Sequence, residues 1–504
     1  MASLQSDSTL VLPLVFLVSC LVVLATSFWP GRKHRLPPSP RALPIIGNLH
    51  QLGSGHLHRR LHALARRHGP LFLLRLGSVP TIVVSSASLA EAVLKTQDHV
   101  FCSRAQSYAA RGALYGCRDI AFSPYGDRWR QSRRIAVVHL LSVKRVDSFR
   151  ALRAQEVAGF VRRIRAACDG AREGRGGVVN VSKLVASLAN TVILKAALGN
   201  KLGGLEPSMV CDMMKELTHL LERFAVSDVF PRLGWLDWAT GLDARVKKTA
   251  AKLDGILEGA LAEHERSRGD GNGEVRDLLD DLLSIVKDGD QGSKMDRIDA
   301  KALILDMFIA GIDTTYKTIE WTMAELLKNP REMAKVQAEV RHVAVGTHGG
   351  VLEEELEKMI HLHAVVKEAL RLMPFLIVRE TIEDTQLHGY DIPAKTRVII
   401  NTWAIGRDSE SWENAEDFRP ERFLGRAVDY SGKDTGFIPF GAGRRGCPGA
   451  AFATRLVELT LANMMYNFEW ELPDDQDPES FEVIESSGLS GGLKSALILG
   501  VKPL

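Results

Sequence analysis

The sequence predicts a mainly helical fold with small β-sheets, set behind an N-terminal transmembrane helix. Three observations carry this. Residues 10–29 are an apolar run of membrane-spanning length. Apolar residues at helical spacing dominate the middle of the chain. Strand-like runs are few and scattered, at 79–86, 396–400 and 496–501.

The run at 10–29 is interrupted only by Pro13, Ser19, Cys20, Thr26 and Ser27. As a helix, twenty residues span about 30 Å, the thickness of a bilayer core. Trp29 suits the interface, and Arg32, Lys33, His34 and Arg35 follow at once, whereas Asp7 is the only charged side chain before the run. This asymmetry keeps the downstream chain in the cytosol. A cleaved signal peptide fits less well, because the basic cluster lies on the C-terminal side and no small-residue cleavage site precedes it. Residues 36–48, with Pro37, Pro38, Pro40 and Pro44, read as a stiff extended hinge. The expected organisation is therefore an anchor with its basic flank at 1–35, the hinge at 36–48 and one large domain at 49–504. The hydrophilic stretches 169–177 and 267–276 read as solvated connectors.

The chain has 504 residues, 45% hydrophobic and 25% charged, with a net charge of +3. That charge is too small to argue for nucleic acid as a partner. The 6 cysteines, at 20, 102, 117, 168, 211 and 447, contain no C-x-x-C pair. They point to a reducing compartment without a disulfide framework.

Chemistry concentrates at Phe440-Gly441-Ala442-Gly443-Arg444-Arg445-Gly446-Cys447-Pro448-Gly449. An apolar-rich helix is expected directly after it, which puts Cys447 near the positive end of a helix dipole and favours a thiolate. Arg444 and Arg445 add positive charge beside it. The glycines let backbone N–H groups and a large flat ligand come close.

This stretch resembles the cysteine-ligand loop of the cytochrome P450 family, with Phe440, Gly443, Arg445, Cys447 and Gly449 at the family positions. The resemblance implies that Cys447 is the metal ligand, holding the iron of haem b in a cytochrome P450 fold. Ala310-Gly311-Ile312-Asp313-Thr314-Thr315 follows a helix that is apolar on nearly every face except Asp306. On its own this is a kinked core helix with a satisfied acid or a functional groove. Beside Cys447 it resembles the family's oxygen-activation groove. Asp313 and Thr314 are then the catalytic pair that relays protons, and Gly311 lets the flat cofactor lie against the helix.

Glu368-Ala369-Leu370-Arg371 has a spacing repeated at Glu263/Arg266, Glu265/Arg268 and Glu416/Arg419. Its helical context and the downstream Pro420-Glu421-Arg422-Phe423 select it. By resemblance, Glu368, Arg371 and Arg422 form a structural network that supports the cysteine loop. Trp129 and Arg133 share W-x-x-x-R spacing with Trp403/Arg407. The preceding Phe122 to Asp127 resembles plant members, so Trp129 and Arg133 are expected at the haem propionates, with Arg379 as a further contact. Expected pocket residues are Tyr108, Leu114, Ile120, Phe308, Thr315, Phe375, Leu376, Ile377 and Leu489.

There are two departures from the family pattern. The segment from Leu372 to Arg379 is shorter than the family's, and Ala105 replaces a proline after Arg104. The likeness runs the length of the chain and is strongest to plant microsomal members of specialised metabolism. It implies a monooxygenase on the endoplasmic reticulum membrane, single-pass, with its catalytic domain in the cytosol. O2 supplies one oxygen atom to a small lipophilic substrate of indole, terpenoid, phenolic or fatty type. NADPH supplies electrons through a flavoprotein reductase, for which Arg130, Arg134, Lys144 and Arg145 are candidate contacts. The competing expectations are a haem-thiolate isomerase or dehydratase independent of O2 and reductase, and a non-catalytic haem-binding protein.

Overall fold

The computed structural model describes residues 35–53, 55–169, 177–200, 206–267, 276–288, 295–346, 350–473, 481–486 and 491–504. The expected anchor, most of both hydrophilic connectors, and Leu489 lie outside the described residues.

The long helices of the described residues include α1 (Asp127–Ile135), α2 (Arg150–Asp169), α3 (Val181–Leu198), α4 (Leu242–Ser267), α5 (Arg297–Lys328), α6 (Ile360–Leu372) and α7 (Ala450–Asn467), of which α1, α3, α5, α6 and α7 line the site. The strands are β1 (Leu71–Leu76), β2 (Val79–Val84), β3 (Gly177–Asn180), β4 (Leu376–Glu380), β5 (Thr385–Leu387), β6 (Tyr390–Ile392), β7 (Arg397–Asn401), β8 (Phe468–Glu471) and β9 (Ile498–Pro503). The three expected strands are present as β2, β7 and β9. The sequence reading missed β1, whose run Leu-Phe-Leu-Leu-Arg-Leu lacks strand alternation. β1, β2, β7 and β4 form one sheet in that order, with β2 and β7 parallel and the other pairs antiparallel. β3, β9 and β8 form a second sheet, and β5 and β6 a hairpin.

α5 is the central helix. Asp296 starts it with a capping box: its carboxylate accepts the Asp299 N–H at 2.9 Å, and its own N–H donates to Asp299 Oδ2 at 3.1 Å. Asn329 and Pro330 end it. Over 299–306 every residue is buried, as a helix apolar on most faces requires. α3 packs along α5. A Cβ at Gly311 would stand 2.8 Å from Ile193 Cδ1, so the glycine leaves room for the Ile193 side chain of α3. Among the described residues α3 alone is long and apolar enough to cross a membrane, and most of it is buried in the core.

The hinge is fastened to the domain. Arg35 and Asp391 exchange two hydrogen bonds of 2.8 Å, and the Pro38 carbonyl accepts from Leu73 of β1 at 2.8 Å.

Candidate active site

The cysteine loop is shaped by its own backbone. Gly441 N–H donates to the Ile438 carbonyl at 3.0 Å, Gly446 N–H to Gly443 at 3.0 Å, and Cys447 N–H to Phe440 at 2.8 Å. Gly443 has φ +67°, and a Cβ there would lie 2.1 Å from the Leu94 carbonyl oxygen, so only glycine fits. Gly449 caps α7, and the N–H groups of Gly449 and Ala450 bond toward the Cys447 sulfur.

Cys447 is exposed, but to an internal cavity and not to bulk solvent. Burial pushes its thiol up, against the Gly449 N–H, the Arg133 charge and the Ala450 N–H. In the bare chain desolvation works against the helix end and the Arg133 charge, which favour the thiolate. A bound metal cation inverts that balance. The expected cationic neighbours are corrected. Arg444 pairs with Asp98 at 2.9 Å, and Arg445 turns away to the carbonyls of Cys102 (2.8 Å), Ile120 (3.0 Å) and Ser123 (2.6 Å). Arg133 is the cation beside the sulfur, and its guanidinium donates to the Gly446 carbonyl at 2.5 Å.

The cavity measures about 380 Å³. Ala310, Gly311, Thr314 and Thr315 of α5 line one side, and Phe440, Gly441, Cys447 and Gly449 line another. Ala310 and Thr314 sit mid-helix yet stay exposed, because they face this space. Thr314 Oγ1 donates to the Ala310 carbonyl at 2.5 Å. Asp313 is not on the wall. Its carboxylate is held by Lys317 Nζ at 2.7 Å and by the Tyr316 hydroxyl at 3.2 Å.

Ile120, Thr315, Phe375, Leu376 and Ile377 line the cavity. Tyr108, Leu114 and Phe308 are corrected. The Tyr108 hydroxyl donates to Asp243 at 2.7 Å, whereas Leu114 and Phe308, each 1% exposed, are packed into the core. Gly443 serves the turn and not the wall. Trp129 borders the cavity, but its indole N–H donates to the Ile120 carbonyl at 3.0 Å, and Arg445 stacks on its ring at 4.0 Å.

Behind the loop the structure brings Glu368, Arg371 and Arg422 together. Glu368 Oε2 accepts from Arg371 Nε at 2.7 Å, and Oε1 accepts from Arg371 Nη2 at 2.8 Å, Arg422 Nε at 2.9 Å and Arg419 N–H at 2.7 Å. Both arginines lie over the Trp412 ring, at 5.4 and 5.9 Å. Trp412 in turn donates to the Gly436 carbonyl at 3.3 Å, where the cysteine loop begins.

The cytochrome P450 family model matches residues 37–490, a span that holds every one of these elements except the C-terminal strand. The chain belongs to the cytochrome P450 family. It is 47% identical to cytochrome P450 71A1 of Persea americana, over 90% of this chain and 91% of that protein. It is 43% identical to cytochrome P450 71A2 of Solanum melongena, over 98% of each. A zebrafish cytochrome P450 solved with progesterone superposes with a TM-score of 0.73 at 27% identity, covering 89% of this chain and 99% of that one. This cytochrome P450 is accordingly a monooxygenase enzyme with a haem-thiolate iron.

The residues present fit haem. The slot is apolar, a thiol faces it, and basic groups crowd one rim. Arg104, Arg133, Arg379 and Arg445 all border the cavity. Burial pushes Arg104 down to about 10 and Arg445 down to about 9. Burial also lowers Arg379 well below its ordinary value, with Arg104 and Arg445 adding to the effect. Arg104 Nε and Arg379 Nε and Nη1 are buried without a hydrogen-bond partner. Buried cations with spare donors suit two propionates. Arg104 and Arg379 are thus better placed to hold them than Trp129, whose donor is taken, or Arg445, which clamps three carbonyls. Sequence reasoning missed Arg104, although Arg104-Ala105 stood out as a departure. Arg104→Leu is expected to weaken haem binding by about tenfold or more, in keeping with about 1.5–3 kcal/mol for one bond to a charged group. The ratio of Soret to protein absorbance after gel filtration checks this.

Proposed function

We propose that this cytochrome P450 inserts one oxygen atom from O2 into a small lipophilic substrate of indole, terpenoid, phenolic or fatty type. Electrons come from NADPH through a flavoprotein reductase, and the protein works at the endoplasmic reticulum membrane with its catalytic domain in the cytosol. The observation that carries this reading is one apolar cavity bounded by both Cys447 and the Thr314 stripe of α5. A thiolate-bound haem iron supplies electron density that favours O–O cleavage.

The chain's own residues divide the remaining work. Arg104 and Arg379 orient the cofactor through its carboxylates. Met307, Ile193 and Phe375 exclude water from the wall and hold the substrate's apolar body. Thr314 keeps a hydroxyl at the cavity face. Asp313, the next residue back along the helix, is outside the wall and paired with Lys317 one turn on. Proton delivery to the cavity then requires Asp313 to turn from Lys317 toward Thr314. Exposed Trp235 and Trp238, 66% and 76% exposed, give the domain an aromatic surface suited to a membrane interface. Arg130, Arg134 and Lys144 remain exposed as candidate reductase contacts, whereas Arg145 is drawn to Asp281 at 2.9 Å.

The test is reconstitution of the full chain in microsomes with a plant reductase and a panel of lipophiles. NADPH-dependent product carrying one atom of labelled oxygen is expected. Thr314→Ala is expected to keep NADPH consumption within a few-fold while the fraction ending in product falls about tenfold or more, consistent with the loss of a positioned proton-transfer group. Product without NADPH would point to the isomerase or dehydratase class. Haem binding with no NADPH consumption across the panel would point to a non-catalytic protein.

A further inference from the structure

Asp306 takes no part in the chemistry above, yet it is the only carboxyl among the described residues of the cavity wall. It is 8% exposed, on a stretch of α5 that is otherwise apolar. Burying an acid there is costly unless hydrogen bonds offset it. They come from the loop between Ala113 and α1. Asp306 Oδ2 accepts the Ile120 N–H at 2.5 Å, and the Ala121 N–H also bonds to the carboxyl. The charged group acting on Asp306 is Asp119, not a base. Asp119 is itself 1% exposed, with Oδ2 on the Phe122 N–H at 2.7 Å and Oδ1 unpartnered. Burial raises both acids, Asp119 to about 6.

The Ile120 peptide is a junction. Its N–H goes to Asp306, and its carbonyl accepts from both Trp129 and Arg445 at 3.0 Å. Ile120 and Ala121 form part of the cavity wall. Just upstream, Tyr115, Gly116 and Cys117 have φ of +52°, +70° and +59°. Left-handed backbone costs a non-glycine residue about 1–2 kcal/mol, so two of these three residues resist the observed shape. The loop keeps it because it is tied down: Tyr115 hydroxyl to Asp254 at 3.0 Å, Arg118 to Asp299 at 2.8 Å, and Ile120 and Ala121 to Asp306.

We propose that Asp306 is a positioning residue for substrate: by holding the Ile120 and Ala121 amides it fixes the 115–122 loop as a preformed wall of the cavity. Bulky ligands that lean on this wall then bind without first having to order it. The proposal rests on the cavity being the substrate site of the monooxygenase reading, and it assigns to Asp306 the tie at the wall itself, while Asp254 and Asp299 hold the loop upstream. It also explains why an acid is tolerated there without a cation, since a latch needs an acceptor and not a charge.

The test compares wild type with Asp306→Asn, which keeps an oxygen acceptor, and Asp306→Ala, which does not. Asp306→Ser, too short to reach the loop, stands in if the alanine variant fails to fold. Two probes are titrated against the haem-loaded full chain by their Soret shift: imidazole, which needs only the iron, and N-tritylimidazole, which fills the cavity. Hydrogen exchange of the peptide spanning 114–125 is followed with and without haem. Asp306→Ala is expected to weaken N-tritylimidazole about tenfold through the added ordering cost, to leave imidazole unchanged, and to speed exchange of the peptide. Asp306→Asn is expected to match wild type in all three. Unchanged N-tritylimidazole affinity in Asp306→Ala, or Asp306→Asn behaving like Asp306→Ala, overturns the proposal. Failure of wild type to bind imidazole counts against the haem reading, and the exchange comparison made without haem still decides whether Asp306 latches the loop.

Discussion

Replacing Cys447 with alanine abolishes the thiolate-type Soret band of the reduced, carbon monoxide-bound protein and takes product formation to background, while the fold survives. The two halves of this expectation come from different atoms. The loop is held by backbone bonds, from Cys447 N–H to Phe440 and from Gly446 N–H to Gly443, and by the left-handed turns at Gly441 and Gly443. None of these involves the sulfur. The side chain faces the cavity, so trimming it leaves no buried void, and the stability change is expected within about 0.5 kcal/mol. The sulfur is nevertheless the single thiol on the described wall; no described wall residue is a histidine, and Met307 and Met373 offer only neutral thioether sulfurs. Cys447→His is expected to retain haem with the shorter-wavelength band of a neutral ligand. Far-UV circular dichroism and the carbon monoxide difference spectrum, taken on the same preparations, separate the outcomes. A surviving thiolate-type band in Cys447→Ala would show that another residue holds the iron.

How far the sequence anticipates this site depends on what kind of constraint acts at each position. The cysteine loop is legible because its geometry restricts residue types: Gly443 cannot be replaced against the Leu94 carbonyl. The α5 stripe is legible by period. Met307, Ala310, Gly311, Thr314, Thr315 and Thr318 fall at helical spacing and all line the cavity. Phe308 belongs to the neighbouring stripe, so that same spacing would have excluded it. The Asp313–Lys317 pair was also available, as an acid and a base four residues apart on one helix. Arg104 and the Asp306 latch were not. Each depends on which distant carbonyl or amide a loop delivers, and loop placement leaves no period in the sequence. Short strands such as β4, which begins four residues after α6 ends, are hidden for the same reason: their partner β7 is remote in the chain.

The second large effect is expected behind the loop. Glu368 and Arg371 have fully buried side chains, and Arg422 is nearly so. One carboxylate therefore faces two guanidiniums in the interior, and all three are retained only as a set. Glu368→Gln leaves two buried cations without a counter-charge, which for a broken buried pair costs about 3–5 kcal/mol. That is a large share of the 5–15 kcal/mol typical of a folded domain, so little haem-bearing protein is expected. Arg371→Met is expected to be worse. Beyond Glu368, Arg371 also donates to the carbonyls of Ala415 at 2.7 Å and Asp417 at 3.1 Å, and these acceptors would be stranded. The damage reaches the cysteine loop by a definite route. Both arginines support Trp412, Trp412 holds the Gly436 carbonyl, and Phe423 packs on Phe437 with ring centroids 5.0 Å apart. The double variant Glu368→Gln/Arg371→Met is expected to cost about as much as Arg371→Met alone, because the second substitution removes one of the cations the first left unpaired. Denaturation midpoints and haem content of the four proteins form the cycle. Additive losses would show that the three side chains act independently, and that the cysteine loop does not depend on their network.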